Sequence, residues 1–346
     1  MTMSPAVLGW DIGGVNTKVA RLEAATNGPV LRSACLPFEL KHDTASLTSI
    51  LTDAARAVGA APGDLHAVTM TAELSQAFRT KREGVEFVLD AHHAAFPRSR
   101  LQVYTVEGRF VGPREARALP LSVGAANWAA TAHLVARSVP TCILIDVGTT
   151  SADLIPIVNG QVVVQGHTDP ERLLSGELVY TGALRTPLEA VAPRVPLWGG
   201  SAAVSADGFA LIGDAHLWLG RLNPEDYTCR TPDGRPPTRE FAGERLARTV
   251  CGDRDMLDDS ALDAIAGAFA GAQVRAVAAA LSRILERWPV IGSAVVAGLG
   301  DFIAVEAAAA VELDIVRLAD RLGPSARTAP AAAVAWLLWY SMESGG

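Results

Sequence analysis

Cysteine is scarce. Four occur in 346 residues, at positions 35, 142, 229 and 251, and no two have the short spacing of a zinc-ligand pair. This excludes a zinc knuckle or a disulfide scaffold and points to isolated reduced thiols in a cytosolic protein. Basic residues are outnumbered 30 to 37, for a formal net charge of −7. A nucleic-acid footprint needs a basic face to displace counterions, so no nucleic-acid partner is expected. No uncharged apolar run reaches the roughly 18–20 residues of a membrane span. Residues 1–8 lack the basic stretch and apolar core of a signal peptide. The expectation is a cytoplasmic protein with no membrane partner. Charged residues make up only 19% against 49% hydrophobic, which excludes global disorder and allows a sizeable core. The length suits about two domains.

What is present is punctuated apolar segments. A short apolar run at 7–11 ends in Asp-Ile-Gly-Gly, and further strand-like runs follow at 17–22 and 30–38, with Asn27-Gly28-Pro29 between them. Residues 45–58 have helical spacing, strands are expected at 67–71 and 102–106, and a small-residue helix at 121–139. The opening pattern then returns. An apolar strand at 142–147 ends in Asp146 and Gly148-Thr149-Thr150, followed by strands at 151–157 and 161–165 around Asn159-Gly160. Two copies of strand, Asp-x-Gly and hairpin indicate two related α/β lobes, 1–139 and 140–346. A loop-rich insert spans about 185–237. Helices are expected over 239–250 and 260–288, a strand at 293–296, a helix from near Phe302, a strand at 315–318 and a terminal helix over 328–342.

Three elements carry chemistry: Asp11-Ile-Gly13-Gly14-Val-Asn16-Thr17-Lys18, Asp146-Val-Gly148-Thr149-Thr150, and Gly298-Leu-Gly300-Asp301. Each follows an apolar strand. Any one alone reads as a β-turn. Together, and in this order, they read as a phosphate site. Glycine lets the backbone approach a phosphate and aim N–H groups at its oxygens. The hydroxyls of Thr17, Thr149 and Thr150 can donate as well. Asp11 and Asp146 on facing hairpins can hold a hydrated magnesium ion, and Lys18 can add a point charge.

These elements resemble the phosphate-1, phosphate-2 and adenosine segments of the sugar-kinase/actin/Hsp70 superfamily. The resemblance implies two ribonuclease-H-like lobes with a cleft between them. It also admits ATP as a ligand near Gly298, Gly300 and Asp301, and an ATP-dependent small-molecule kinase as an alternative function. Asn16 stands where the kinases commonly have Ser or Thr, which weighs against a plain kinase. A closer resemblance lies in Gly9 to Lys18, Met70-Thr-Ala-Glu-Leu74, Gly176-Glu-Leu-Val-Tyr-Thr-Gly182 with Arg185-Thr-Pro187, and Leu246-Ala-Arg-Thr-Val-Cys-Gly-Asp-Arg254. These look like the hydantoinase/oxoprolinase-related family of tetrahydromethanopterin-linked one-carbon metabolism. The resemblance implies a transferase of methanofuran or methylofuran biosynthesis. Such an enzyme joins an aminomethyl-furanmethanol diphosphate to the phenol of a glutamyl-tyramine or tyrosine-type acceptor and releases diphosphate.

On that reading Asp11 and Asp146 position magnesium. Gly13, Gly14, Asn16, Thr17, Gly148, Thr149 and Thr150 hold the diphosphate, with Lys18 as added charge. The acceptor phenol has an ordinary pKa of about 10 and needs a base. Glu73, after the strand at 67–71, is the candidate, set against a solvated loop carboxylate or a cap partner. Glu177, Tyr180 and Arg185 are expected near the amine or carboxylate ends of the substrates, and Arg172 near the diphosphate. The alternatives are an ion pair with a core tyrosine, and an exposed helix arginine. A homodimer is admitted. His92-His93 is a poor metal site, since adjacent helical residues do not share a face.

Overall fold

The six residues Val7–Ile12 are all buried, and in the computed structural model, which describes residues 5–344, they form strand β1. A strand buried on both faces needs a nearly continuous apolar sequence. This one has it, with Asp11 near the carboxyl end as the exception. β2 (Asn16–Glu23) returns antiparallel to β1, and β3 (Val30–Pro37) antiparallel to β2. Helix α1 (Leu47–Ala57), β4 (Leu65–Met70), α2 (Lys81–Ala95) and β5 (Arg100–Tyr104) follow. β4 lies parallel to β1, and β5 parallel to β4. With the short β6 (Phe110–Val111) the sheet order is β3-β2-β1-β4-β5-β6. The expected helix at 121–139 is instead α4 (Pro120–Val123) and α5 (Asn127–Ala136), after α3 (Pro113–Ala118). The break is at Gly124, which bridges Met70 of β4, and Ala125, whose φ is 53°.

The second sheet repeats the plan. β7 (Cys142–Val147) is again buried throughout, and β8 (Ala152–Val158), β9 (Gln161–Val162), α6 (Asp169–Ser175) and β10 (Leu178–Val179) follow. Next come α7 (Leu188–Val191), the hairpin β11 (Arg194–Leu197) and β12 (Gly200–Ala203), α8 (Ile212–Trp218), α9 (Arg239–Arg248) and α10 (Asp259–Arg287). The chain ends with β13 (Ser293–Ala297), α11 (Asp301–Ala309), β14 (Asp314–Arg317), α12 (Ala319–Leu322) and α13 (Ala329–Ser344). The order is β10-β8-β7-β13-β14, with β9 on β8 and β13 parallel to β7. The strand expected at 161–165 shrinks to two residues because Pro156, inside β8, has no N–H for a continuous ladder. The edge of β8 is shared instead, with β9 opposite Ile157 and Val158 and β10 opposite Ala152 and Asp153. This is the ribonuclease-H-like arrangement, present twice.

The chain forms two compact units. One holds the residues up to Cys142, Ile155–Arg172 and the chain from Arg317 onward; the other holds Ile143–Leu154 and Leu173–Val316. A single cut along the sequence does not describe this, because α13 packs on β1, β2, β4 and α5 of the first unit. The first core gathers Leu8, Ile12, Leu47, Leu51, Val68 and Val88. The second gathers Trp218, Leu246, Ile265 and Phe269, and so draws in part of the loop-rich insert. Here the buried Arg245 donates to Asp214 (2.9 and 2.8 Å) and to Asp233 (3.0 Å), tying the insert to α8 and α9. Among the described residues α10 alone is long and apolar enough to cross a membrane; Ile265 and Phe269 build it into this core.

The adjacent histidines separate as expected for a helix: His93 is exposed and His92 is buried. His92 Nε2 lies 2.9 Å from His66 Nδ1 on β4, with Trp10 and Phe96 packed around both rings. Burial pushes His66 down to about 4 and His92 to about 3. Depressed folded-state values mean the unfolded chain takes up protons first. Stability present above the ordinary histidine pKa of about 6.5 is then lost as pH falls toward the folded values. Urea unfolding should show a loss of about 2–4 kcal/mol between pH 7 and pH 5. A paired His66→Leu, His92→Leu variant should make that slope shallower, with the buried His216 and the half-buried His133 supplying what remains.

Candidate functional site

The same turn closes both leading hairpins. Gly13 donates its N–H to the Asn16 carbonyl at 3.0 Å, and Gly148 donates to the Ser151 carbonyl at 2.9 Å. The repeat read from the sequence is therefore also a repeat of backbone geometry. In the first unit Asp11 stands opposite Lys18 in the β1–β2 register, and Lys18 Nζ donates to Asp11 Oδ2 at 3.0 Å. The other oxygen, Asp11 Oδ1, is buried without a hydrogen bond, and so are Asn16 Oδ1, Thr17 Oγ1 and Thr69 Oγ1. Thr69 pairs with Asp11 across β1–β4. Buried polar atoms are nearly always satisfied, so four orphans gathered at the carboxyl ends of β1 and β4 and the amino end of β2 make this a candidate place for a polar ligand.

In the second unit the turn at Gly148 is braced from outside. Ala183 N–H donates to the Gly148 carbonyl at 2.9 Å, and the N–H groups of Leu184 and Arg185 donate to the Thr149 carbonyl at 3.1 and 3.0 Å. Gln273 of α10 fixes this bracing segment, donating to Thr181 Oγ1 at 2.8 Å and to the Gly182 carbonyl at 2.7 Å. Gln273 Oε1 lies 2.8 Å from His216 Nε2. Burial pushes His216 down to about 4, so the ring is neutral near pH 7. The third motif joins the second here. Gly300 N–H donates to the Val147 carbonyl at 2.9 Å and caps α11, which begins with Asp301. Gly298 has φ of 92°, and a Cβ there would fall 2.2 Å from the Val147 carbonyl and 2.5 Å from Asp146 Oδ1, so no other residue fits. Glu177 is buried, with Arg287 Nη2 at 3.7 Å from its Oε1. Tyr180 is 58% exposed and Arg185 is half-buried.

Glu73 is neither a solvated loop carboxylate nor a cap partner. It lies in a short 3-10 turn, Ala72–Leu74, after β4, and its side chain is 0% exposed. Thr71 ties this turn to β1, donating to the Ile12 carbonyl at 2.9 Å. The backbone closes over the carboxylate: a Cβ on Gly84 would fall 2.5 Å from Glu73 Cα, and one on Gly124 would fall 3.2 Å from Glu73 Oε1. This explains the helix break at Gly124. Neither carboxylate oxygen makes a hydrogen bond of good geometry, although the backbone N–H groups of Glu73 and Ala125 approach closely enough to favour the ionised form. Burial raises Glu73 to about 7, against the lowering effect of Lys81. Lys81 Nζ is 3.7 Å from Glu73 Oε1 and 2.7 Å from Asp169 Oδ2. Arg172, on the same helix as Asp169, is buried with its guanidinium 4.4 Å above the Trp128 ring.

The first unit thus gathers Asp11, Gly13, Gly14, Asn16, Thr17, Lys18 and Glu73, and the second gathers Asp146, Gly148, Thr149, Thr150, Gly298, Gly300 and Asp301. Lys81, Asp169, Thr69 and Gln273 have no motif around them in the sequence. Lys81 does have one signal, since it is among only three lysines in the chain. No three His, Cys, Asp or Glu side chains gather as a metal cluster among the described residues. That does not suit a closed zinc cage. Magnesium keeps its waters and takes only one or two carboxylates, and the orphaned Asp11 Oδ1 is a carboxylate oxygen with room for one such bond.

Comparison with known proteins agrees with the sequence resemblance. The hydantoinase/oxoprolinase family model matches residues 64–340. The (4-{4-[2-(gamma-L-glutamylamino)ethyl]phenoxymethyl}furan-2-yl)methanamine synthase of Methanocaldococcus jannaschii is 35% identical over 343 residues, 99% of this chain and 100% of that protein. The Methanococcus vannielii protein of the same name is 31% identical over 186 residues, 53% of this chain and 83% of that one. A nucleotide-free acetone carboxylase structure shares the fold, with a TM-score of 0.61 at 12% identity over 95% of this chain and 70% of that one. The acetone carboxylase shows the fold, and the chain belongs to the hydantoinase/oxoprolinase family.

Proposed function

We propose that this protein is an ether-forming transferase of methanofuran or methylofuran biosynthesis. It joins an aminomethyl-furanmethanol diphosphate to the phenol of a glutamyl-tyramine or tyrosine-type acceptor and releases diphosphate. The observation that carries the reading is the 35% identity over the whole of both chains to a synthase whose name contains a phenoxymethyl-furan. That name also favours an ether synthase over an ATP-dependent kinase. The proposal includes a cytoplasmic location.

The reaction breaks the bond between the furan methylene carbon and a diphosphate oxygen, and the electron pair leaves with diphosphate. The phenol oxygen bonds to that carbon, and its proton ends on Glu73. The furan ring shares positive charge at the methylene, so departure can run ahead of attack. Preorganised donors act most strongly on the charge that develops as a group leaves. The N–H groups of Gly13, Gly14 and Gly148 and the hydroxyls of Thr17, Thr149 and Thr150 are assigned to the diphosphate oxygens, with Lys18 and Arg172 as added positive charge. Magnesium, held by Asp11 and Asp146 when bound, supplies charge neutralisation at the leaving oxygens. Glu177, Tyr180 and Arg185 are assigned to the polar ends of the substrates.

Incubation with the furan diphosphate and the phenol should yield ether and diphosphate in equal amounts. ATP alone should yield no diphosphate. Release with ATP alone would overturn the reading. As the base, Glu73 works ionised and titrates near pH 7, so kcat/KM should fall as pH drops through about 7. Glu73→Gln should remove that acidic limb and slow ether formation by about 10²–10⁴-fold.

A further inference from the structure

Glu73 cannot meet a substrate directly in this structure, because both its oxygens are buried and its side chain is 0% exposed. Its neighbours are not so enclosed: Lys81 is 21% and Asp169 17% exposed. We propose that Lys81 is a catalytic residue, the side chain through which Glu73 reaches the acceptor phenol, with Asp169 holding it in place. This rests on the ether-forming reading above and names the group that connects its base to its nucleophile.

Position and residue type both argue for it. The chain has three lysines, Lys18, Lys41 and Lys81, among 30 basic residues. Where arginine is the ordinary cation, a lysine as the cation beside the buried Glu73 calls for a reason. An arginine there would give the same charge but could not hand over a proton, since guanidinium stays protonated in proteins. Lys81 is also the first residue of α2, after the cap Thr80, whose hydroxyl accepts from Glu83 N–H at 3.2 Å. A cation at a helix N-terminus opposes the helix dipole. Glu73 and Asp169 offset that cost, with one carboxylate facing inward and the other partly exposed.

The charged groups facing Glu73 are Lys81 from α2 and Asp169 from α6. The segment around α4 and α5 contributes backbone at Gly124 and Ala125. Asp169 anchors Lys81 Nζ at 2.7 Å, while Glu73 stands off at 3.7 Å, in ion-pair range but beyond a hydrogen bond. Catalytic contacts often tighten only with substrate bound. When the pair closes, Lys81 gives one proton to Glu73 and takes the proton of the phenol. One N–H breaks and one forms, Lys81 is an ammonium before and after, and Glu73 ends neutral. The phenol oxygen bonds to the furan methylene as diphosphate departs with its electron pair. Removing Lys81 takes a cation from beside Glu73 and favours its neutral form. Removing the charge of Asp169 favours the ionised form.

The test pairs two readouts on the full chain. Infrared titration follows the Glu73 carboxyl, assigned by its loss in Glu73→Gln, and product analysis follows ether formation from the furan diphosphate and phenol. Lys81→Met should move the Glu73 midpoint up by about one pH unit or more, and Asp169→Asn should move it down. Lys81→Arg should leave the midpoint close to the parent value yet slow ether formation by about 100-fold or more, because charge is kept and proton transfer is lost. An unmoved midpoint in Lys81→Met, or ether formation within about threefold of the parent in Lys81→Arg, would overturn the proposal. If the parent protein makes no ether at all, the functional reading fails, and the Lys81–Glu73 link is then judged by the titration alone.

Discussion

The structure turns on one backbone contact made twice. A glycine N–H bonds to the carbonyl three residues on, at Gly13 and again at Gly148. The turn reverses a fully buried strand within a few residues and leaves an aspartate, Asp11 or Asp146, near the strand end with its carboxylate inside the protein. Burying a carboxylate near the end of an interior strand is costly unless something compensates it. In the first unit Lys18 supplies part of the compensation, and the orphaned oxygens of Asp11, Asn16, Thr17 and Thr69 show that part is still missing.

The surrounding elements hold that turn still. In the first unit β4 brings Thr71 and Glu73 beside the turn through the bond from Thr71 to Ile12. In the second unit the segment 183–185 is laid against Gly148 and Thr149 and held by Gln273 of α10. Gly298 and Gly300 close in on Val147 from the other side. The groups proposed to hold the diphosphate are thereby fixed in place, the condition under which donors are most effective in stabilising a leaving anion.

The parts legible in the sequence were the local ones. β1 and β7 could be read because a strand buried on both faces needs an unbroken apolar run, and Asp-x-Gly at its end needs little context. Family membership was legible because its motifs are contiguous. Contacts between distant segments were hidden. Lys81 and Asp169 meet across 88 positions, and neither carries a motif. The break at Gly124 looked like the middle of a helix because only the approach of Glu73, 51 positions earlier in number, gives that glycine its purpose. β9 was overestimated because the missing N–H of Pro156 acts on the neighbouring strand rather than on its own. Arg172 sits in a short polar stretch that favours exposure, and only the Trp128 ring beneath it, 44 positions away, accounts for its burial.

The proposed ether-forming reaction requires that the chain bind magnesium diphosphate. Calorimetric titration of the full chain with inorganic diphosphate tests it most directly. The account predicts one diphosphate per chain, dependent on magnesium, with binding lost in Asp11→Asn and in Asp146→Asn alike. Binding that ignores magnesium, or that survives intact in either variant, would contradict it.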